Sequence, residues 1–130
     1  MNFRDSILGQ PGNLRRSAET FLQALERIDL SQFERAPLVF TGMGGSLFAV
    51  TPAVRALRAA GRQAFAVPAT ELLEPGGERL GGAFIGLSQS GESAETNDAF
   101  RRISAPRLAL TNSGDGHWPM WRTERCRSAL

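Results

Sequence analysis

The sequence has no lysine and no tyrosine, and a single cysteine and a single histidine. All 15 of its basic residues are therefore arginine, which removes Schiff-base chemistry and a P-loop lysine and points to a GC-rich coding sequence. Cys126 and His117 both fall within residues 117–130. No disulfide frame, Cys/His zinc cluster, or Ser-His or Cys-His pair can be assembled within the body of such a chain, and neither a metal nor a cofactor is expected. An apolar run of the roughly 18 residues that span a bilayer is also missing. The opening "MNFRDSILGQPGN" lacks the apolar core of a signal peptide. These absences predict a cytoplasmic protein with no membrane partner. The net charge is only +2, and the arginines are scattered rather than gathered into a stripe that could follow phosphates, so nucleic acid is not an expected partner.

What is present is ordinary for one folded domain: 130 residues, 42% of them hydrophobic and 22% charged. The hydrophobic period changes repeatedly along the chain. Leu14, Ala18, Phe21, Leu22, Leu25 and Ile28 share one helical face, which predicts a first helix from an Asn13 cap, after a Pro11-Gly12 turn, to about Asp29. "PLVFTG" (37–42), "QAFAVPA" (63–69), "GAFIGLS" (82–88) and "PRLALTN" (106–112) read as short, continuously apolar strands. Between them lie helical segments: one ending at Gly61, with Thr51 as a possible cap before Pro52, a short one in "ATELLEPGG", and one from about Ser93 to Ile103. Apolar strands alternating with helices predict an α/β fold, a doubly wound parallel sheet in a three-layer αβα sandwich. The expected divisions are a helical lead-in at 1–36, the sheet domain at 37–116 and an atypical tail at 117–130.

In such sheets ligands sit beyond the carboxyl ends of the strands. Two loops fall there, "TGMGGS" after the first strand and "SQSGES" after the third. A helix N-terminus leaves N–H groups unpaired and attracts anions. The hydroxyls of Ser88, Ser90 and Ser93 and the amide of Gln89 would add neutral donors, with Gly91 letting the backbone close around a phosphate. Simple helix capping by Ser90 or Ser93 is the plainer reading, with Glu92 and Glu95 favouring the first turn. Gly44 and Gly45 in the first loop fit neither the P-loop, which needs Gly-Lys-Ser/Thr, nor the dinucleotide fingerprint, whose third glycine position holds Leu47. That loop would carry Ser46 to a helix start, close to the serine loop if the two strands are neighbours.

Taken together, "GMGGS" and, about forty residues later, "GLSQSGESAET" resemble the sugar isomerase (SIS) domain, in particular its glucosamine-6-phosphate synthase-like branch. "ILGQPGNLRRS" resembles the Gln-Pro lead-in of that branch, and the likeness runs from about Ser6 to Gly116. The resemblance implies a flavodoxin-like fold and a sugar phosphate ligand, a hexose or hexosamine 6-phosphate. Its phosphate would be held by Ser46, Ser88, Gln89, Ser90 and Ser93, the last in place of the usual threonine, with Gly44, Gly45 and Gly91 supporting the loops. No lysine precedes Ser46, unlike the Gly-x-Gly-Lys-Ser arabinose-phosphate isomerase type.

Enzymes of that branch carry two such domains, and their Glu, His and Lys acid-base groups come from segments without counterparts here. Isomerisation needs a base within reach of the proton it moves, and Glu92 and Glu95 are the only carboxylates beside the expected pocket. Catalytic residues are therefore unassigned. Three readings stand: a phosphosugar-binding domain equal to the N-terminal half of an isomerase or deaminase-like protein, an isomerase completed across a homo-oligomer, or a sugar-phosphate sensor.

The tail "HWPMWRTERCRSAL" gathers both tryptophans, the histidine and the cysteine without helical or alternating period. It reads either as a surface tail or as the product of a shifted frame: back-translated with GC-rich codons and read two bases later, it gives LADVADRALPL. That alternative text is helix-like and resembles the corresponding segment of SIS domains, so a C-terminally truncated domain with the fourth strand left as an edge is expected.

Overall fold

The computed structural model describes residues 2–90 and 92–111. The first helix, α1, runs Phe3–Leu25, about a dozen residues longer at its start than the sequence pattern predicts. Asn2, not Asn13, is its cap, accepting a hydrogen bond from the Asp5 amide at 2.8 Å. The Pro11-Gly12 pair does not turn the chain, and Pro11 sits inside the helix. The missed signal is periodicity: Phe3, Ile7 and Leu8 extend the apolar stripe of Leu14, Ala18 and Leu22 upstream. One interior proline removes one hydrogen bond, and a stripe of about six turns outlasts it.

After a 3-10 turn at Leu30–Glu34, whose Phe33 is buried, the strands follow: β1 (Leu38–Gly42), β2 (Ala64–Pro68), β3 (Ala83–Leu87) and β4 (Arg107–Leu110). The expected second helix is two: α2 (Gly45–Ala49) and α3 (Thr51–Ala59). Thr51 is the first residue of α3 and not its cap, and Pro52 occupies the first turn, where a missing N–H costs nothing. The remaining helices are α4 (Ala69–Leu72) and α5 (Ala94–Arg102). All strand pairs are parallel, in the order β2-β1-β3-β4, so β4 and β2 are the edges among the described residues. This is an α/β fold with helices on both faces, and its order is the flavodoxin-like one. No helix among the described residues is long and apolar enough to cross a membrane.

Strand alternation sends side chains to two unlike faces. Val39 and Phe84 pack with Ala69 and Leu72 of α4 and with Ala99 and Ile103 of α5 and its end. On the other face Leu38, Phe40 and Ala83 meet Phe33, Val50 and Val54. The first face is closed so tightly that any side chain on Gly86 would collide with the Phe100 ring. Over β3 and β4 the second face is not closed. There α1, none of whose residues is buried, stands off from the sheet.

Candidate functional site

The gap beneath α1 is a cavity of about 1040 Å³, with Leu87, Leu108 and Leu110 of the sheet as its floor. Its roof is the face of α1 from Asn13 onward, and its end wall is made by the two loops singled out in the sequence. Register explains the convergence of those loops. β1 and β3 are neighbours with Thr41 opposite Gly86, so both chains leave the sheet at the same level.

Each loop is fixed by local chemistry. Gly44 has φ +55° and ψ −128°, a combination that side-chain-bearing residues avoid. The resulting turn, closed by the Ser46 amide donating to the Met43 carbonyl at 3.2 Å, folds Ser46 back over Gly42. A Cβ on Gly42 would lie 3.3 Å from the Ser46 Cβ and 2.8 Å from the Leu87 carbonyl oxygen. The absence of a side chain there is what lets Ser46 reach the end of β3. Gly45 has no such steric requirement, since a Cβ there would meet open space.

At the end of β3, Ser88 is buried and its amide donates to the Leu110 carbonyl at 3.1 Å, one rung beyond the regular ladder. Thr111, which the sequence pattern did not single out, donates its hydroxyl to the Gln89 carbonyl at 3.2 Å and so ties the loop to the end of β4. Ser90 and Ser93 turn to local partners. Ser90 Oγ accepts from the Glu92 amide at 3.1 Å. Ser93 caps α5, its Oγ accepting from the Thr96 amide and lying 3.0 Å from Thr96 Oγ1. Glu92 precedes that cap, so it is not a first-turn residue as the sequence suggested; Glu95 is.

The structure therefore brings Gly45, Ser46, Ser88 and Gln89 onto one cavity, and it does not bring Ser90, Ser93 or Gly44 there. Gly91 and the segment 117–130 lie outside the described residues. Sequence reasoning missed the contribution of α1: Asn13, Arg16, Ser17 and Thr20 form a polar strip along the roof. Their spacing of three, four and seven was the available signal, masked by the longer apolar stripe beside it. Electrostatically the cavity is one-sided. Among the described residues its lining holds two arginines, Arg16 and Arg107, and no Asp, Glu or His. The Arg107 guanidinium donates to the Phe100 and Ile103 carbonyls at the end of α5, and that of Arg16 to the Asn13 side chain. Such a lining favours an anion with hydroxyl groups over a cation. Among the described residues that lining holds no carboxylate or imidazole that could serve as a base.

No family model matches the chain, and no curated protein sequence matches it. Solved structures do. A protein of Escherichia coli CFT073, determined in complex with a sugar phosphate, superposes with a TM-score of 0.61 at 21% identity, over 95% of this chain and 72% of its own. A candidate sugar-phosphate isomerase from Listeria monocytogenes superposes with the same TM-score at 15% identity, again over 95% of this chain and 72% of its own. At these identities the likeness is one of fold.

Proposed function

We propose that this chain binds a sugar phosphate, as a SIS-type domain of the glucosamine-6-phosphate synthase-like branch, and that a hexose or hexosamine 6-phosphate is its ligand. The observation that carries the reading is the meeting of Ser46 with Ser88 and Gln89 on one cavity whose described lining has no carboxylate. Neutral hydroxyl, amide and backbone donors at strand ends can hold a phosphate without lysine, because the charge is met by several oriented dipoles at once. In this reading Ser90 and Ser93 shape the loop that presents Ser88 and Gln89, Ser90 through the Glu92 amide and Ser93 as the cap of α5. The sugar hydroxyls extend toward the α1 strip of Asn13, Ser17 and Thr20. The solved structures of the same fold, one holding a sugar phosphate and one described as a candidate sugar-phosphate isomerase, support this ligand class.

The chain by itself binds without isomerising. Proton transfer between neighbouring carbons requires a base in reach, and Glu92 and Glu95, the carboxylates nearest the loop in sequence, do not line the cavity. Isothermal titration with a panel of hexose and hexosamine 6-phosphates, run beside an isomerase assay, tests both halves. Saturable heat with at least one ligand, no heat with the unphosphorylated sugars and no turnover are expected. Absence of binding across the panel removes the ligand assignment, and turnover that survives removal of contaminating isomerases replaces the binding domain with an enzyme.

A further inference from the structure

The cavity changes character along its roof. Asn13, Ser17 and Thr20 make the first part polar, and beyond them Phe21, Ala24, Leu25 and Ile28 line it above a floor that includes Leu108 and Leu110. The path of the chain fixes which end is which. From α1 it crosses the 3-10 turn and enters β1 at Leu38, and Ile28 packs against the cluster holding Leu38 and Ala83, the first residues of β1 and β3. The two loops leave those strands at their other ends, so the apolar part of the cavity lies away from the phosphate donors. From Phe21 to Ile28 it extends about two helical turns, or roughly 10 Å. At about 1040 Å³ the cavity is as large as ligand pockets commonly become. A hexose 6-phosphate seated on the loops would leave its apolar end to water, and sugar hydroxyls would find no partners among those side chains.

The geometry points to a ligand of mixed character: an N-acylated hexosamine 6-phosphate whose acyl chain, longer than acetyl, lies between the later part of the α1 roof and the sheet. This assignment rests on the phosphosugar reading above and narrows it. A second observation points the same way. Among the described residues the lining holds Arg16 and Arg107 and no carboxylate, so a free ammonium on the sugar would meet like charge and no counter-charge. Acylation removes that charge. The chain it adds displaces water from the apolar walls, and each buried methylene is worth about fourfold in affinity. Phosphate, hydroxyls and acyl chain then follow the order of the lining: loops, polar strip, apolar end.

Isothermal titration of the full chain with glucosamine 6-phosphate and its N-acetyl, N-propionyl and N-butyryl derivatives reads the acyl contribution directly. Affinity should rise from the free amine to the acetyl derivative and then about fourfold with each methylene, or about fifteenfold from acetyl to butyryl. Ala24→Leu places a branched side chain in the path of the acyl group at a half-buried helical position, where leucine is a good helix former. In that variant the ratio of butyryl to acetyl affinity should fall to about one. Its circular dichroism reports whether the fold is kept, and the series on the parent chain stands without it. A flat or falling series in a chain that binds glucosamine 6-phosphate overturns this inference and leaves the phosphosugar reading intact. A rising series that persists in folded Ala24→Leu also overturns it, since the acyl chain then lies elsewhere. Absence of binding by all four ligands removes the phosphosugar reading and this inference together.

Discussion

The two faces of the sheet are built from the same alternating strands and end in opposite conditions. On the α4–α5 face, Phe84 and Phe100 are fully buried and Val39, Leu72 and Ile103 nearly so, with Gly86 kept bare so that the Phe100 ring can rest on the strand. On the α1 face, Leu87 and Leu110 reach only partial burial and look into a cavity. Burial converts to stability at roughly 25 cal/mol per Å², so the closed face holds the fold together while the open one leaves volume for a ligand. Both loops that line the cavity are anchored at strands whose reverse sides lie in the closed face. Separating the work in this way lets the site stay open without the sheet losing its register.

The strongest way to break that contrast is to cut into the closed face. Phe84→Ala should cost about 3–5 kcal/mol of unfolding free energy, the range for a buried aromatic whose cavity cannot collapse, whereas Phe21→Ala on the cavity roof, 42% exposed, should cost less than about 1 kcal/mol. Urea denaturation of the two variants beside the parent makes the comparison. Equal losses would mean that α1 is as firmly packed as α5 and that the open face is not open. Next in size is Gly86→Ala. Its methyl has nowhere to go but into Phe100, and overpacking of this sort costs about 1–3 kcal/mol. The same change at Gly45, where a Cβ meets open space, should leave the unfolding free energy within about 0.5 kcal/mol of the parent.

At the site the contrast should reverse, with affinity lost and stability kept. Ser46→Ala removes a hydroxyl that supports nothing in the core, and a hydrogen bond to a charged group is worth about 1.5–3 kcal/mol. Sugar-phosphate affinity should fall about tenfold or more while the urea midpoint stays put. Thr111→Val should weaken binding less, because it frees the Gln89 carbonyl and loosens the loop rather than deleting a donor. A Ser46→Ala variant that binds as well as the parent would place the phosphate elsewhere.

How much of this could be read in advance depends on which interactions are local. Strand position was legible because continuous apolar runs such as "LVF" and "AFI" are bounded by glycine and proline, and the parallel order came with the helices between them. The convergence of Ser46 with Ser88 was legible for the same reason, since strands that are neighbours bring their loops together. Its limit was the side chain. Ser90 and Ser93 have backbone amides two and three residues away within reach, and whether a serine serves its own turn or a ligand is not written in the residue type. The start of α1 was misread because Pro11-Gly12 is a strong turn signal taken alone, while the competing signal, Phe3 and Ile7 in phase with Leu14, is spread along the helix. The cavity itself depends on how far α1 stands from the sheet, a tertiary distance that no local pattern encodes.

The smallest expected effect lies where α1 ends and the sheet begins. Asp29 caps the turn at Leu30–Glu34, its carboxylate accepting from the Ser31 hydroxyl at 2.5 Å and from the Ser31 amide at 3.0 Å. Those bonds, the hydroxyl's first, favour the ionised form and hold the carboxyl below its ordinary value of 3.8. A carboxyl with a lowered folded-state pKa stabilises the fold above its unfolded value, and that contribution fades as the pH drops through the folded one. The turn matters because it seats Phe33 in the core of the α1 face. Asp29 is exposed, so solvent screens the effect. Asp29→Ala should therefore lower the urea midpoint slightly at pH 7, and the gap between variant and parent should narrow below about pH 4 as the parent's own carboxyl protonates. A gap that stays constant down to about pH 3 would show that the side chain acts there through its shape and not its charge. A gap that widens on acidification would contradict the cap altogether.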